Sequence, residues 1–568
     1  MGGDPRIIPR APHPAGLGGR LLDLAREDPG RRAVGFFEGG DPPVVWLSRG
    51  ELIRRAGGIA AALSGRTAPG DVVALVMPPS LTLMTSWVGT VLAGRIPTIC
   101  APPSFKFDAL HYADMIRTVI RGTRATLIAS DSDTLAAHFR DSGATCLDVN
   151  TLGDAAPNGR PAAVRAPHAL LQHSSGTTGL QKGILLSHEQ VQANTSRYAE
   201  AIRLDGTDVV ASWLPIYHDM GLIACLVMPL LAGIPSVHAS PFQWVLRPSL
   251  LWDMVTASGG TRIWMPNFAF RLLAERATPD PESGWELSRV RQIVNCAEPV
   301  RLEDMRALFD TCASRGLRET AMGASYALAE NTFAVTEGGV SAPLEAFEAD
   351  ANALRKGRLS PAAPGRPRTT LLSSGRPIAD TEVRIADESG AVLPPDRTGE
   401  ILLKSPSLFD GYCNRGPADS RIDPEGFYHT GDVGVMDADR NLFVTGRKSD
   451  MIIVAGANIH PEDVEHALAG MKGILPGRAV ACGEYLDSLG TERIVVLAET
   501  TWTEAGRRET LIREIRERIS NSLGADVAEV ALVPPRWLVK STSGKPSRRR
   551  CLAKWRVTSP PPSAPRRA

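Results

Sequence analysis

The sequence predicts an α/β fold: two parallel-sheet α/β subdomains and a small β-barrel in a large N-terminal domain, then a C-terminal α+β domain. Three observations predict it. Short continuous apolar runs alternate with longer helical stretches from Val72 to Asn295, the pattern of a parallel sheet with crossover helices. From about residue 376 the pattern changes to short strands separated by Gly/Pro turns, as in a small barrel over 376–449. At Asp450 the chain starts again as a compact mixture of strands and helices, so the boundary falls between 1–449 and 450–568.

The elements follow in order. Residues 1–20, rich in Pro and Gly, predict an arm, and Gly19–Glu27 a short helix. Ala33–Glu38 and Val44–Leu47 pair around the turn Gly39-Gly-Asp-Pro42. Ser48, with Glu51 three residues on, makes a capping box for a helix through Leu63. Val72–Met77 and Ile96–Cys100 are strands buried on both faces, with a helix between them. Helix His111–Ile120, strand Ala125–Ala129 and helix Asp133–Arg140 repeat the unit, and the Pro/Gly-rich 155–166 connects onward. Ser187 caps a helix to about Ile202, and Val209–Leu214 is a strand ending in the polar turn Pro215-Ile-Tyr-His-Asp-Met-Gly221. Met220–Ala239 is bilayer-length and apolar, but Pro229, Gly233 and Pro235 interrupt it, which predicts a buried helix and strand. Strands at Arg262–Met265 and Gln292–Asn295 follow, then a Pro-, Ala- and Arg-rich insert of low order at 337–373. Glu382–Ile385, Gly399–Leu403 and Gly426–Tyr428 are the barrel strands. In the last part, Met451–Val454, Ala479–Ala481 and Ile494–Ala498 are strands, Pro461–Met471 is a helix, and a second helix carries Leu511, Ile512, Ile515 and Ile519 on one stripe.

Composition limits the function. The 568 residues allow about three or four domain-sized units. Sixty-three basic against 62 acidic residues leave a net charge of +1, which argues against a global pull toward nucleic acid. The eight cysteines are scattered without a Cys-x-x-Cys pair, which points to thiols in a reducing cytoplasm. The N-terminus lacks the apolar core of a signal peptide, and no membrane span is expected.

The chemistry centres on His173-Ser-Ser-Gly-Thr-Thr-Gly-Leu-Gln-Lys-Gly183, a loop between the apolar runs 169–171 and 184–186. Three glycines let backbone N–H groups approach a ligand, four hydroxyls donate, and Lys182 adds positive charge, a set suited to a phosphate chain. It is not a Walker A loop, because Gly183 follows the lysine where Ser or Thr should stand. His218 and Asp219 sit beyond a strand's carboxyl end, where parallel sheets place ligands, although a structural pair accounts for them equally well. Asn295-Cys-Ala-Glu-Pro-Val300, Ala324-Ser-Tyr-Ala-Leu-Ala-Glu-Asn331, Thr430-Gly-Asp432, Val444-Thr-Gly-Arg-Lys-Ser-Asp450 and the basic run Lys540–Arg550 follow.

In this order the motifs resemble those of the adenylate-forming (AMP-binding) superfamily: acyl-CoA synthetases, fatty acyl-AMP ligases, luciferases and peptide-synthetase adenylation domains. The resemblance spans about residues 30–555. It implies that Ser174, Ser175, Gly176, Thr177, Thr178, Gly179 and Lys182 hold the phosphates of ATP. It also implies nucleotide-binding roles for Ala297, Glu298, Pro299, Ser325 and Tyr326, with Tyr326 stacking on adenine. Glu330 would bind Mg²⁺, and Asp432 with Arg447 would clamp the ribose of AMP or acyl-AMP. Asp450 falls on the hinge about which the C-terminal domain moves; Lys545 and His218 are the implied catalytic residues.

The implied reaction joins a carboxylic acid to AMP and then to a thiol. Ala455–Glu465 resembles acyl-CoA synthetases, with Gly456 lining a pantetheine tunnel, and makes coenzyme A the preferred acceptor. Residues 213–223, 295–300 and the insert at 337–373 look instead like fatty acyl-AMP ligases, which load an acyl carrier protein; there the insert is thought to hinder the rotation that admits coenzyme A. His173 and Gln181 depart from the phosphate-loop pattern, so an enzyme efficient in one half-reaction stays open. The competing class is a non-catalytic adenylate- or nucleic-acid-binding protein. The acid and the oligomeric state are not encoded legibly.

Overall fold

The computed structural model describes residues 7–102, 109–132, 143–152, 162–173, 182–279, 282–414, 416–454, 457–486, 491–523, 525–540 and 546–558. Two sheets dominate the first part. A seven-stranded sheet runs in the order Met322–Ala324, Gln292–Asn295, Arg262–Met265, Val210–Ser212, Ser236–His238, Arg32–Phe37, Val44–Ser48. All its pairings are parallel except the last. A four-stranded parallel sheet is built from Ile96–Ile99, Val72–Leu75, Leu127–Ser130 and Thr145–Asp148 in that order. Its strands are buried throughout at Val72–Leu75 and Ile96–Ile99, which is why they are continuously apolar. The capping boxes expected at Ser48 and Ser187 both form, Ser187 pairing with Gln190.

The apolar stretch after the polar turn is buried except at the partly exposed Pro235. It forms a π-helix Met220–Val227, a short helix Met228–Ala232 and the central strand Ser236–His238. No helix among the described residues is long and apolar enough to cross a membrane. The helix Ala505–Leu523 buries Leu511, Ile515 and Ile519 completely against the three-stranded sheet Ala479–Leu486, Thr491–Glu499, Val527–Val533. Each such side chain contributes about 1.5–3 kcal/mol relative to exposure.

Two expectations are corrected. The N-terminal segment is docked, not a loose arm: Ile8 is 1% exposed in the main core, Arg10 pairs with Glu200 at 2.7 Å, and the first helix begins at Gly16. The 337–373 insert is ordered. Ala346–Asp350 and Arg368–Leu372 form an antiparallel pair joined through the helix Ala351–Arg355. Its few apolar residues, Phe347, Ala349, Leu354, Leu359 and Leu371, converge on Val435 and Phe443. A Pro- and Arg-rich composition hid them because they lie far apart in sequence and meet on one face. Val435 and Phe443 belong to the four-stranded antiparallel sheet Glu382–Ala386, Thr398–Lys404, Tyr428–Met436, Leu442–Arg447. The predicted strand at Gly426–Tyr428 is the start of its third, longer strand.

Candidate active site

The carboxyl edge of the large sheet and the small antiparallel sheet bring distant motifs together. Ser325 and Tyr326 follow the edge strand Met322–Ala324. Ser325 Oγ donates to Thr336 O at 2.8 Å, and the Tyr326 amide reaches Thr336 Oγ1 at 3.2 Å, so the loop is fastened from behind. The Tyr326 hydroxyl donates to Asp432 Oδ2 at 2.6 Å, and Arg447 Nε stands 2.9 Å from Asp432 Oδ1. Asp432 and Arg447 are direct cross-strand partners in the small sheet. Gly431 allows the approach through its left-handed φ of 76°, and Thr430 Oγ1 accepts from the Asp432 amide. Burial, and then the Asp432 carboxylate, push the Tyr326 phenol well above its ordinary range, so it stays a donor. The Asp432 carboxylate, reinforced more weakly by Tyr326, Glu330 and Asp450, raises the Arg447 guanidinium.

A second cluster lies at the other end of the same loop. Glu330 is half-buried in the turn Ala329–Asn331. Its Oε1 accepts from the Tyr412 hydroxyl at 2.8 Å, and Tyr428 OH lies 3.1 Å beyond. The Lys182 ammonium sits 4.3 Å above the Tyr412 ring. Among the described residues no cluster of three or more His, Cys, Asp or Glu could hold a metal. A single carboxylate fits Mg²⁺, which completes its shell with phosphate oxygens and water. Glu330 would hold it, and the ion would neutralise charge on the phosphates.

The remaining expected residues are placed as follows. Ala297 and Pro299 are exposed, Ala297 with a left-handed φ of 74°, and Glu298 accepts from the Phe268 amide at 3.1 Å; this turn adjoins the Tyr326 strand. His218 lies beyond Val210–Ser212, two strands further along, its ring 4.7 Å from that of Tyr217. Asp219 is accounted for as the cap that accepts from the Met220 amide. His173 is buried against Thr98 at 2.8 Å, and burial lowers it to about 4, so it is neutral at pH 7. Asp450 is bound 2.8 Å from Arg548, which also holds Glu462 and Glu465 at 2.8 Å each. Ser174, Ser175, Gly176, Thr177, Thr178, Gly179, Gly456 and Lys545 lie outside the described residues.

Sequence reasoning missed Tyr412 and Tyr428, and also Trp244, which stacks on Trp213 with ring centroids 3.5 Å apart. None of the three carries a local signal; only the fold makes them neighbours. All eight cysteines stand as thiols.

The sequence pattern of the AMP-binding enzyme family matches residues 22–413. The chain belongs to that family. It is an adenylate-forming acyl ligase. It is 29% identical to the long-chain-fatty-acid–AMP ligase FadD28 of Mycobacterium tuberculosis over 94% of this chain and 96% of that one. It is 28% identical to the medium-chain-fatty-acid–[acyl-carrier-protein] ligase JamA of Moorena producens, over 92% of each. Among solved structures it matches a fatty acyl-adenylate ligase from a study of the E. coli and L. pneumophila enzymes. That match has a TM-score of 0.85 and 25% identity, and covers 96% of this chain and 98% of that one.

Proposed function

We propose that this AMP-binding family member activates a fatty acid as its acyl-adenylate and delivers the acyl group to the phosphopantetheine thiol of an acyl carrier protein. The carboxylate oxygen attacks the α-phosphorus of ATP, a P–O bond forms, and the bond to the departing pyrophosphate breaks. Asp432 accepts from the ribose hydroxyls, held by Tyr326 and Arg447. Lys182 and Lys545 supply positive charge where two anions meet. The thiol then attacks the mixed anhydride and AMP leaves. In this reading His218 would act on the acyl side and Asp450 would serve as the hinge between the two steps. ATP supply and the thiol state of the cysteines suit a cytoplasmic setting.

The observation that carries the acceptor is the folded insert. Its helix ends at Arg355, which donates to the Leu523 carbonyl at the end of the long C-terminal helix. Arg301 pairs with Asp463 at 2.9 Å, and His466 meets Glu303 at 2.5 Å, a bond that holds the Glu303 carboxyl down to about 2. Arg355 of the insert thus reaches the C-terminal part, while Arg301 and Glu303, from the helix Leu302–Cys312 and its N-cap, hold it from a second side; contact between the insert and this part is expected of an enzyme that hinders coenzyme A entry. The sequence run that favoured coenzyme A has another account: Glu462 and Glu465 serve Arg548. The relative JamA, named as an acyl-carrier-protein ligase, supports this acceptor over coenzyme A.

The test supplies purified acyl-AMP with either coenzyme A or a phosphopantetheinylated carrier protein. The carrier should be acylated well above the uncatalysed rate. Acyl-CoA accumulating faster than acyl-carrier would reverse the assignment.

A further inference from the structure

We propose that Tyr412 is a positioning residue that couples the metal-binding carboxylate to the lysine closing the phosphate loop. One phenol touches both groups. Its hydroxyl donates to Glu330 Oε1 at 2.8 Å, and its ring lies 4.3 Å beneath the Lys182 ammonium. A phenol has a single proton. Tyr412 gives that proton to Glu330, so at 3.1 Å the Tyr428 hydroxyl is the donor and Tyr412 the acceptor. The result is a directed chain from Tyr428 to Tyr412 to the carboxylate.

The surrounding backbone makes Tyr412 a fixed point. It bridges Ile184 on the strand leaving the phosphate loop, and the next amide, of Cys413, donates to Gly183 O at 2.8 Å. Phe409 N donates to the Glu330 carbonyl at 2.8 Å, and the Phe409 ring meets Tyr412 and Tyr428 edge-on at 4.9 and 5.4 Å. Gln172, on the strand entering the loop, clamps the other side of the Glu330 turn by donating to Ala329 O at 2.7 Å and Thr332 O at 3.0 Å. The strands on both sides of the phosphate loop are thus tied to the turn that carries the carboxylate.

The chemical consequence is charge geometry. Oε1 of Glu330 is engaged by the phenol, so Oε2 would be the oxygen left for a divalent ion. Lys182 is held over the electron-rich face of the same ring, so one side chain fixes the position of both charges.

The inference rests on reading Glu330 as the metal carboxylate, and the test separates the two. Mn²⁺ binding to the enzyme with a non-hydrolysable ATP analogue is followed by electron paramagnetic resonance. AMP affinity is measured by calorimetry without metal. Tyr412→Phe keeps the ring and removes the donor; it should weaken Mn²⁺ by about 10- to 100-fold, the usual cost of losing a partner that orients a ligand. AMP affinity, which depends on Tyr326 and Asp432, should stay within about twofold of the parent. Tyr428→Phe, one bond further out, should weaken Mn²⁺ less. Tyr412→Leu should in addition weaken inorganic pyrophosphate. An unchanged Mn²⁺ affinity in Tyr412→Phe, or a parallel loss of AMP binding, overturns the proposal. If Glu330→Gln itself binds Mn²⁺ as tightly as the parent, the metal role of Glu330 fails instead.

Discussion

Asp432→Asn isolates the charge that grips the nucleotide. The carboxylate is 5% exposed, and its two oxygens already accept from Tyr326 at 2.6 Å and Arg447 at 2.9 Å. Each oxygen keeps a second lone pair for a ribose hydroxyl. Asparagine fits the same volume but offers one acceptor oxygen and no charge, and its amide must face a donor. A hydrogen bond to a charged group is worth about 1.5–3 kcal/mol, which is roughly a 10- to 150-fold loss of affinity. The assay is calorimetric titration with AMP in the absence of metal, so that Glu330 does not contribute. Circular dichroism should be unchanged, because the small sheet's ladder does not depend on this side chain. AMP binding within about twofold of the parent would refute the ribose assignment and the clamp built on it.

Glu337 and Arg548 yield the other predictions. Glu337 is fully enclosed by Tyr198 at 2.9 Å and Gln292 at 2.7 Å, and burial raises it from 4.5 to about 8. Between those values the folded chain keeps a proton that the unfolded chain has released, so stability falls as pH rises from about 4.5 to about 8 and then levels. Glu337→Gln should flatten that slope in urea unfolding measured across the window; an unchanged slope would assign it elsewhere. Arg548→Met leaves Asp450, Glu462 and Glu465 facing one another without their cation, at an expected cost of about 3–5 kcal/mol. A thermal unfolding profile identical to the parent would show that the cluster is not what holds the C-terminal part.

Much of this protein is legible in its sequence because the signals are local. Periodicity and caps located the helices at Ser48 and Ser187, and continuous apolar runs marked the doubly buried strands. The order of the motifs, through the family resemblance, pointed to Tyr326, Glu330, Asp432 and Arg447 together, and the fold brings Tyr326, Asp432 and Arg447 into direct contact. The insert was misread because its apolar residues are a minority that becomes a cluster only when Val435 and Phe443 lie beneath them. In the basic run after residue 540, Arg548 is held by three carboxylates from another part of the chain, a pairing that composition does not reveal.

Residue identity determined which groups could do the chemistry; tertiary structure decided which of them act together. Tyr412 shows the division. It stands 82 residues from Glu330 in the chain and carries no motif. Its hydrogen bond to Glu330 and its contact with Lys182 exist because strand pairing at Ile184 and the Phe409 amide draw three remote segments to one point. Such contacts are long-range products of sheet register and packing, and no local pattern of residues records them.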